Sequence, residues 1–281
     1  MVIPAYERPD DLRKCLDSLG HSKQGNEVKY EILVTDDSKS TRCRKLVEEE
    51  FLDVSWGKGK KIGPAGNRNA GAERARGEWI VFLDDDCIAQ EEYLMQYMKA
   101  IKSNPKVVVF EGRIFTDRPQ KTWAEGSPEN ETGGMLWTSN LCVKKTAFKL
   151  MNGFDEQFKV AFEDVDFAYR IRCVFKKSVF VPYAAVCHPW RSLRSGGKNW
   201  KRKGYELESL KLFVAKHGTN EIANSKIYIR NMIRMLTTDQ IKCIVEFRGR
   251  GYVILMINIY ITLKSIWFLL EFELKKKLRQ K

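Results

Sequence analysis

The sequence contains no CxxC pair, and its seven cysteines are an odd number. A disulfide framework or a structural zinc site requires cysteines in regularly spaced pairs, so neither is expected here. Reduced thiols are typical of a cytoplasmic setting. The cysteines are Cys15, Cys43, Cys87, Cys142, Cys173, Cys187 and Cys243.

Internal repeats and low-complexity tracts are also missing, and the chain opens directly in strand-like residues, so no signal peptide is expected. A length of 281 residues suits one large α/β domain with an appendage. Hydrophobic residues make up 43% of the chain, which is enough for a core. The formal net charge of +13 predicts an anionic partner: nucleic acid, an acidic membrane surface or a phosphorylated substrate.

One stretch joins an apolar run to a cluster of carboxylates. Residues 79–83 are all apolar, as expected of a strand buried on both faces in a parallel sheet. Asp84, Asp85 and Asp86 follow directly, and three like charges cannot enter the core without partners. They belong at the carboxyl end of the strand, where open α/β sheets bind ligands. A hard cation such as Mg²⁺ or Mn²⁺ would neutralise them. The alternative is a solvated turn that caps a helix at 90–102.

Strand-like and helix-like segments alternate through the first two thirds of the chain. A strand at residues 1–6 leads to a helix that begins at Pro9, and a second strand at 30–35 ends at Asp36 and Asp37. This alternation is typical of a parallel sheet with right-handed crossovers. Further strands are predicted at residues 107–115, 136–143, 178–182 and 184–187, and a helix at 67–76.

Three other segments each have a structural and a functional interpretation. Residues 57–66, rich in Gly and Lys, are either a flexible surface loop or a lid on the phosphate side of a site. Residues 116–134 are polar and contain Pro and Gly, which indicates a mobile loop near a substrate. Acidic residues at 163, 164 and 166 open a helix, and the helix dipole alone could explain them.

Several short motifs, each weak alone, stand in an order and spacing that resembles the inverting glycosyltransferases of family 2. Residues 2–9 resemble the family's opening strand and loop, 31–38 its second strand, and 65–71 the helix before its metal motif. Residues 84–86 match the DxD motif, 152–156 the acceptor-side turn, and 163–166 the ED motif. The first strand begins almost at Met1, so it is shorter than is usual in the family.

The resemblance implies a GT-A fold, which is a Rossmann-like α/β domain with a mixed, mostly parallel sheet flanked by helices. Here a helical C-terminal extension would follow it. The predicted divisions are a catalytic domain at 1–190, a basic loop and helical extension at 191–249, and an apolar, basic C-terminal helix at 250–281.

The same resemblance implies roles for individual residues on the donor side. Asp37 would face the nucleotide base, and Asp85 would contact the ribose or the metal. Arg68 and Arg170 could steady phosphates, although a surface or salt-bridge role is an equal alternative for both. The residues predicted to bind the nucleotide sugar are Pro4, Ala5, Tyr6, Arg8, Asp37, Arg68, Asp84 and Asp85.

For the reacting groups, the resemblance implies that Asp164 is the general base and that Asp86 ligates Mn²⁺ or Mg²⁺. His188 would be a further metal contact, although a lone histidine at a strand end is more often structural. Inverting transfer does need one carboxylate to deprotonate the acceptor and a Lewis acid on the leaving diphosphate. The acceptor side is assigned to Trp137, Asn140 and Glu163.

The C-terminal segment 252–272 is long and apolar enough to suggest a membrane helix, but Lys264 is costly at bilayer depth. Asn258, Thr262, Ser265 and Glu273 fall on one helical stripe. The preferred interpretation is a helix in the membrane interface, fastened by the basic tail to anionic lipid. The protein would then lie on the inner face of the cell membrane, in the cytoplasm. A helix buried against the catalytic domain or a second subunit is the alternative.

A basic cluster between residues 190 and 203 interleaves cations with Trp190 and Trp200. We favour a role in gripping a diphosphate of the donor or of a lipid-linked or phosphate-containing acceptor. Binding of nucleic acid and a solvated basic loop are the alternatives. The cations are Arg191, Arg194, Lys198, Lys201, Arg202 and Lys203.

The leading hypothesis is a metal-dependent, inverting hexosyl- or N-acetylhexosaminyltransferase. It would move a sugar from a nucleotide sugar, a UDP-sugar, to a glycan or lipid-linked acceptor during synthesis of a cell-surface polysaccharide. A nucleotidyltransferase is disfavoured because no Gly-rich, basic phosphate loop follows the first strand. The third hypothesis is a non-catalytic protein that binds membranes or nucleic acid, although no nucleic-acid partner is expected. A homo-oligomer is compatible with each of these hypotheses.

Overall fold

The computed structural model describes residues 1–25, 27–121, 125–192, 197–220, 223, 225–234 and 250–279. The chain divides into two compact units. The first unit contains Met1–Arg118, Ser127–Lys159 and Glu163–Pro189. The second unit contains Pro119–Gly126, Val160–Phe162 and Trp190–Lys281.

The elements alternate along the first two thirds of the chain, as the sequence pattern predicts. The described strands are β1 (Val2–Ala5), β2 (Ile32–Asp36), β3 (Val54–Lys58), β4 (Trp79–Leu83), β5 (Ile88–Ala89), β6 (Val109–Phe115), β7 (Glu125–Gly126), β8 (Asn140–Lys144), β9 (Val179–Cys187) and β10 (Arg191–Ser192). The described helices are α1 (Pro9–Ser18), α2 (His21–Gln24), α3 (Arg42–Glu50), α4 (Pro64–Arg74), α5 (Tyr93–Ser103), α6 (Lys145–Leu150), α7 (Glu163–Phe175), α8 (Gly197–His217), α9 (Ser225–Arg234) and α10 (Arg250–Arg279).

The first unit is organised around a sheet with the strand order β3-β2-β1-β4-β8-β6-β9-β5. Strands β3, β2, β1 and β4 run parallel. Strand β8 is antiparallel to both β4 and β6, and β9 then runs parallel to β6. This mixed, mostly parallel sheet confirms the predicted fold class. Because β1 and β4 are central and parallel, their carboxyl ends meet at one edge of the sheet.

Apolar residues of the central strands alternate between two clusters, one on each face of the sheet. In β4, Val81 and Leu83 join the cluster that receives α1, α3 and α5, whereas Ile80 and Phe82 join the cluster that receives α4, α6 and α7. The period of two is that of a strand buried on both faces. The helices therefore cover both faces, as predicted for this fold.

Helix α4 lies close against β1 at Gly71, where it has no side chain. A Cβ atom at Gly71 would overlap the side chain of Val2. The helix begins at Pro64, a residue that suits the first helical turn; the predicted start at residue 67 is therefore three residues late. The close packing brings Arg68 of this helix to the carboxyl edge of the sheet.

Several predicted boundaries are wrong. Gly57 and Lys58 end strand β3 and do not belong to the predicted loop at 57–66. Helix α6 was not predicted, and β8 begins at Asn140 and not at residue 136. The two short strands predicted around Pro182 are one strand, β9, whose register shifts against β6 between Gly112 and Arg113. A local bulge accommodates Pro182, which has no N–H for the ladder.

The second unit is mainly helical. Helix α10 packs against α8 and α9, and β7 pairs with β10 in an antiparallel ladder. Within the described ranges, every helix is too short or too polar to cross a membrane. Of the predicted basic cluster, Arg194 lies outside the described residues, as does the side chain of Lys198. Residues 235–249, at the end of the predicted extension, also lie outside them.

Candidate functional site

The three carboxylates follow β4 directly and face the loop after β1. Asp85 is fully buried, and its Oδ1 lies 2.5 Å from Nη2 of Arg8. The backbone N–H of Tyr6 donates to Oδ2 of the same carboxyl at 3.3 Å. Burial raises the pKa of Asp85 to about 8, although Arg8 acts in the opposite direction. The loop after β1 and the predicted metal motif therefore form one polar cluster.

Asp86 and His188 face each other inside this cluster. Both are buried, and Nε2 of the imidazole lies 3.3 Å from Oδ2 of the carboxylate. The other ring nitrogen, Nδ1, lies 3.2 Å from the carbonyl oxygen of Pro189 and 3.0 Å from Oγ of Ser127. A carbonyl oxygen can only accept, so we place the ring hydrogen on Nδ1. The lone pair of Nε2 then points at the carboxylate.

This arrangement fits a divalent cation. In the neutral imidazole the Nε2 lone pair and the carboxylate could both bind a cation placed between them, whereas a protonated imidazole would form an ion pair with Asp86. Metal-binding histidines commonly use their other nitrogen to donate to a protein oxygen. The Sγ of Cys87 lies within 4.8 Å of both other donor atoms, but this thiol donates to the carbonyl oxygen of Ser139 at 3.7 Å, and burial raises its pKa well above the usual range. Because the remaining donors include an imidazole nitrogen, the site suits transition metals better than Mg²⁺. Burial raises the pKa of Asp86 to about 6, against the effect of His188.

Arg68 joins the carboxylate cluster to the start of α7. Its Nη2 lies 2.8 Å from Oδ1 of Asp84, and its Nη1 lies 2.8 Å from Oε1 of Glu163. Burial acts to raise the pKa of Asp84, but the charges of Arg68, His188 and Arg8 and the hydrogen bond from Arg68 together lower that pKa. Burial and the neighbouring Asp164 raise the pKa of Glu163 to about 7, against the effect of Arg68.

Asp164 stands beside Glu163 in the first turn of α7 and is half-buried. Its Oδ1 accepts a hydrogen bond from the N–H of Val165 at 2.8 Å. Burial raises its pKa, and the charge of Arg68 opposes the shift. A carboxylate with a raised pKa is a stronger base, which suits proton abstraction at neutral pH.

On the β1 and β2 side, hydrogen bonds hold the predicted donor residues together. The N–H of Asp37 donates to the carbonyl oxygen of Ala5 at 3.1 Å. The N–H of Lys61 donates to Oδ1 of Asp37 at 2.9 Å, while burial raises the pKa of that carboxyl. Pro4 is half-buried, and Tyr6 is more than half exposed. Tyr6 therefore offers an exposed aromatic ring, and Asp37 offers a carboxylate that a hydrogen bond holds in place.

The N–H of Asn140 donates to the carbonyl oxygen of Trp137 at 3.1 Å, but the side chain of Asn140 is held within the core. Its Oδ1 accepts from the hydroxyls of Tyr93 and Tyr97 at 2.8 and 2.6 Å. Its Nδ2 donates to the carbonyl oxygens of Arg113 and Ala184, both at 2.9 Å. The amide is therefore saturated within the core, a geometry that favours a structural role.

The other two predicted acceptor residues differ in position. Glu163 belongs to the Arg68 network, as described above. Trp137 is half-buried and packs against the apolar cluster that contains α1 and α5. The guanidinium of Arg170 binds Oδ2 of Asp166 at 2.7 Å and the carbonyl oxygens of Met151 and Gly153. These contacts favour the salt-bridge alternative for Arg170.

Two residues of the site were not predicted. Ser127 orients His188 by donating to its carbonyl oxygen at 2.9 Å, but the two residues are 61 positions apart and no local pattern links them. Cys87 directly follows the three aspartates, so its position next to the motif was a usable signal.

Several known proteins with similar sequences are glycosyltransferases by name. An "Uncharacterized glycosyltransferase" of Haemophilus influenzae is 26% identical over 200 residues, which cover 65% of this chain and 64% of that protein. A "GalNAc(5)-diNAcBac-PP-undecaprenol beta-1,3-glucosyltransferase" of Campylobacter jejuni is 32% identical over 92 residues, 31% of this chain and 28% of that protein. The chain thus spans less than two thirds of the length of either relative.

Among solved structures, the fold is similar to residues 1–349 of S. aureus TarS in complex with UDP-GlcNAc. The TM-score is 0.59 at 14% sequence identity, and the match covers 94% of this chain and 80% of that one. The match supports the GT-A fold. A model described as "Glycosyl transferase family 2" matches residues 1–180. The chain therefore belongs to glycosyl transferase family 2, which confirms the resemblance carried by its motifs.

Proposed function

We propose that the protein is a metal-dependent, inverting glycosyltransferase that uses a nucleotide-sugar donor. The observation that carries the proposal is the double ion pair of Arg68 with Asp84 and Glu163. This pair connects the end of β4, where the cation would bind, to the first turn of α7, where the general base stands. Family membership and the GT-A fold support the same reaction class.

Asp164 is the proposed general base. It would take the proton from the acceptor hydroxyl as that oxygen attacks the anomeric carbon, and the bond from that carbon to the diphosphate would break on the opposite face. The raised pKa of Asp164 increases its proton affinity. Glu163 and Arg68 are proposed to fix the helix turn that carries it, because both are buried and bonded to each other.

Asp86 and His188 would hold Mn²⁺ or a similar cation, which would supply Lewis-acid stabilisation of the charge that develops on the leaving diphosphate. The protein residues have separate tasks. Ser127 keeps the imidazole oriented, and Arg8 neutralises Asp85 beside the metal ligands. Asp37 and Tyr6 are proposed to receive the base and ribose of the nucleotide, next to the end of β1.

For the donor, a UDP-sugar is the first choice, and UDP-GlcNAc is the first one to test, because the structurally similar TarS was solved with it. For the acceptor, we propose a lipid-linked or growing cell-surface glycan, since a relative is named for transfer to a diphospho-undecaprenol glycan.

The test is a donor screen that reads release of free nucleotide from a panel of nucleotide sugars in the presence of Mn²⁺. One donor should be turned over, and EDTA should stop the reaction. Asp164→Asn should lower the rate about 100-fold or more because the base is lost, yet donor binding measured by calorimetry should persist. Asp86→Ala should lose the metal-dependent part of donor binding. Asp10→Asn, an exposed change in α1, serves as the matched control.

Two outcomes would contradict the proposal. One is full activity in Asp164→Asn with the selected donor. The other is the absence of both turnover and calorimetric binding for every nucleotide sugar in the panel, which would favour the non-catalytic hypothesis.

A further inference from the structure

The outer face of α10 carries a continuous line of large apolar side chains. They are spaced three or four residues apart, so at about 100° per residue they share an arc of about 80°. Each is between 40% and 73% exposed. We call this line the α10 stripe; its members are Met256, Tyr260, Leu263, Trp267, Leu270, Leu274 and Leu278.

The opposite face of α10 already has partners within the second unit. Ile261, Ser265 and Leu269 are buried where the helix packs against α8 and α9. Glu273 accepts hydrogen bonds from the N–H and the hydroxyl of Ser225, at the start of α9. The polar residues that the sequence placed on one stripe are therefore on the packed side, and the apolar stripe faces outward. Exposed apolar patches of this extent mark interaction sites.

Cations flank the α10 stripe on both sides. Lys264 and Lys277 lie about 80° and about 60° from its midline, one on each side, at the usual angle per residue. Lys276 is exposed in the same last turns, while Lys275 forms an ion pair with Glu271 at 2.5 Å. The whole chain carries a net charge of +13. The partner surface should therefore be apolar at its centre and anionic around it.

Aromatic side chains extend the stripe towards α8. Trp200 stacks on Tyr260 with ring centroids 5.3 Å apart, and nearly half of its surface is exposed. Trp267, in the middle of the stripe, is 73% exposed. Trp and Tyr have an apolar ring with a polar atom, so they concentrate where hydrocarbon meets water.

The alternating spacing would also suit a coiled coil with a second copy of the chain. Two features disfavour that occupant. The rims carry Lys264 and Lys277, so two identical helices would bring like charges together. The bulky Trp267 and the Trp200–Tyr260 stack would also have to fit the narrow seam between two helices.

We propose that the α10 stripe docks the protein on the surface of an anionic lipid bilayer, with the helix lying in the plane of the interface. From Met256 to Leu278 the helix is about 33 Å long at 1.5 Å per residue, so the stripe would contact lipid along its whole length. Apolar burial and attraction of lysines to anionic head groups would act together. The proposal uses none of the site residues and therefore stands independently of the proposed function.

The test is co-sedimentation of the full chain with vesicles of pure phosphatidylcholine or of equal parts phosphatidylcholine and phosphatidylglycerol. The protein should sediment with the anionic vesicles, and added salt should reduce the bound fraction. Trp267→Glu should lower the partition coefficient about tenfold or more, because it removes a large apolar group that the bilayer would cover and adds a negative charge. Tyr183→Glu is the matched control, since Tyr183 is 76% exposed in the first unit.

Measurement of molar mass by light scattering distinguishes a lipid bilayer from a second copy of the chain as the partner of the α10 stripe. A monomer that binds vesicles only through an intact stripe supports the proposal. A dimer that Trp267→Glu dissociates, together with no binding of the wild-type chain to anionic vesicles, would overturn it in favour of a second copy. Equal binding of wild type and Trp267→Glu, or equal binding to both vesicle types, would also overturn it. Nucleotide release without vesicles should be the same in Trp267→Glu and wild type.

Discussion

Arg68 is the residue that links the two halves of the proposed site. It is buried, and its guanidinium contacts one carboxylate after β4 and one in α7. The planar group can satisfy two carboxylates at once, which a lysine could not do with the same geometry. Because a buried ion pair offsets the cost of desolvation only while both partners are present, removal of the cation should be severe.

The first residue-scale prediction compares two arginines. Arg68→Met should lower the free energy of unfolding by about 3 kcal/mol, because it leaves the buried end of the Asp84 carboxylate without its cation. Arg76→Met should change it by less than about 0.5 kcal/mol, since that side chain is 85% exposed and its contact with Glu31 is screened by water. Urea unfolding monitored by circular dichroism measures both. Equal losses in the two variants would contradict the proposed role of Arg68.

Residues of the site differ in how far the sequence could predict them. The three aspartates after β4 and the pair Glu163 and Asp164 follow recognisable local patterns, so their positions were predictable. Ser127 was not, because its effect on His188 arises from a contact between distant segments. For Asn140 the sequence predicted a position on the acceptor side. Its amide oxygen accepts hydrogen bonds from two buried tyrosines, and these contacts favour a structural role.

At the scale of elements, the predicted order of strands and helices holds while several boundaries do not. Long apolar runs such as β4 carry a clear signal. Strand β3 is at the edge of the sheet and only partly buried, so its sequence lacks a continuous apolar run; the strand was not predicted, and its last two residues were assigned to a loop. Helix α6 has six residues, too few for a helical period to be recognised. Tertiary contacts decide such short elements, and local sequence does not.

The packing of β6 against β9 depends on a glycine, which leads to an element-scale prediction. A Cβ atom at Gly112 would overlap the carbonyl oxygen of Ala184 and Nδ2 of Asn140. Gly112→Ala should therefore lower the free energy of unfolding by about 1–3 kcal/mol through overpacking. Gly204→Ala is the matched change inside helix α8, where an added Cβ meets nothing within 4 Å.

The control variant, Gly204→Ala, should change the free energy of unfolding in the opposite direction. Alanine restricts the unfolded chain and favours helix, so Gly204→Ala should raise the free energy of unfolding by about 0.5–1 kcal/mol. Thermal and urea unfolding of both variants measure the difference. If Gly112→Ala were as stable as wild type, the close approach of β6 to β9 would not exist in solution.

For the whole molecule, the proposed site concentrates acidic groups that burial makes hard to ionise. Burial raises the pKa of Asp85 to about 8, of Asp86 to about 6 and of Glu163 to about 7. A cation that binds there would displace protons and gain from charges that the protein alone holds at a cost. The unliganded fold therefore retains a destabilised site, as is common where activity requires one.

Because ionised carboxylates are costly to bury, the free energy of unfolding depends on pH. The direction of this dependence can be tested at Glu163. The ordinary pKa of its carboxyl is 4.5 and the pKa in the folded protein is about 7, so between these values the folded chain binds more protons than the unfolded chain. Stability must then fall as pH rises through that window, by about 3 kcal/mol for this group. Glu163→Gln removes the titration, so the difference in unfolding free energy between wild type and variant should shift by that amount from acid to neutral pH.

Urea unfolding at several pH values in buffer with EDTA provides the measurement, and comparison of the two proteins cancels the contribution of Asp85 and Asp86. Glu208 of α8 has a side chain that is 67% exposed, so the unfolding free energy of Glu208→Gln should change with pH in the same way as that of wild type. A difference between wild type and Glu163→Gln that stays constant across the window would mean that Arg68 keeps Glu163 ionised at low pH. In that case the ion pair, and not the buried proton, would dominate the energetics of the site.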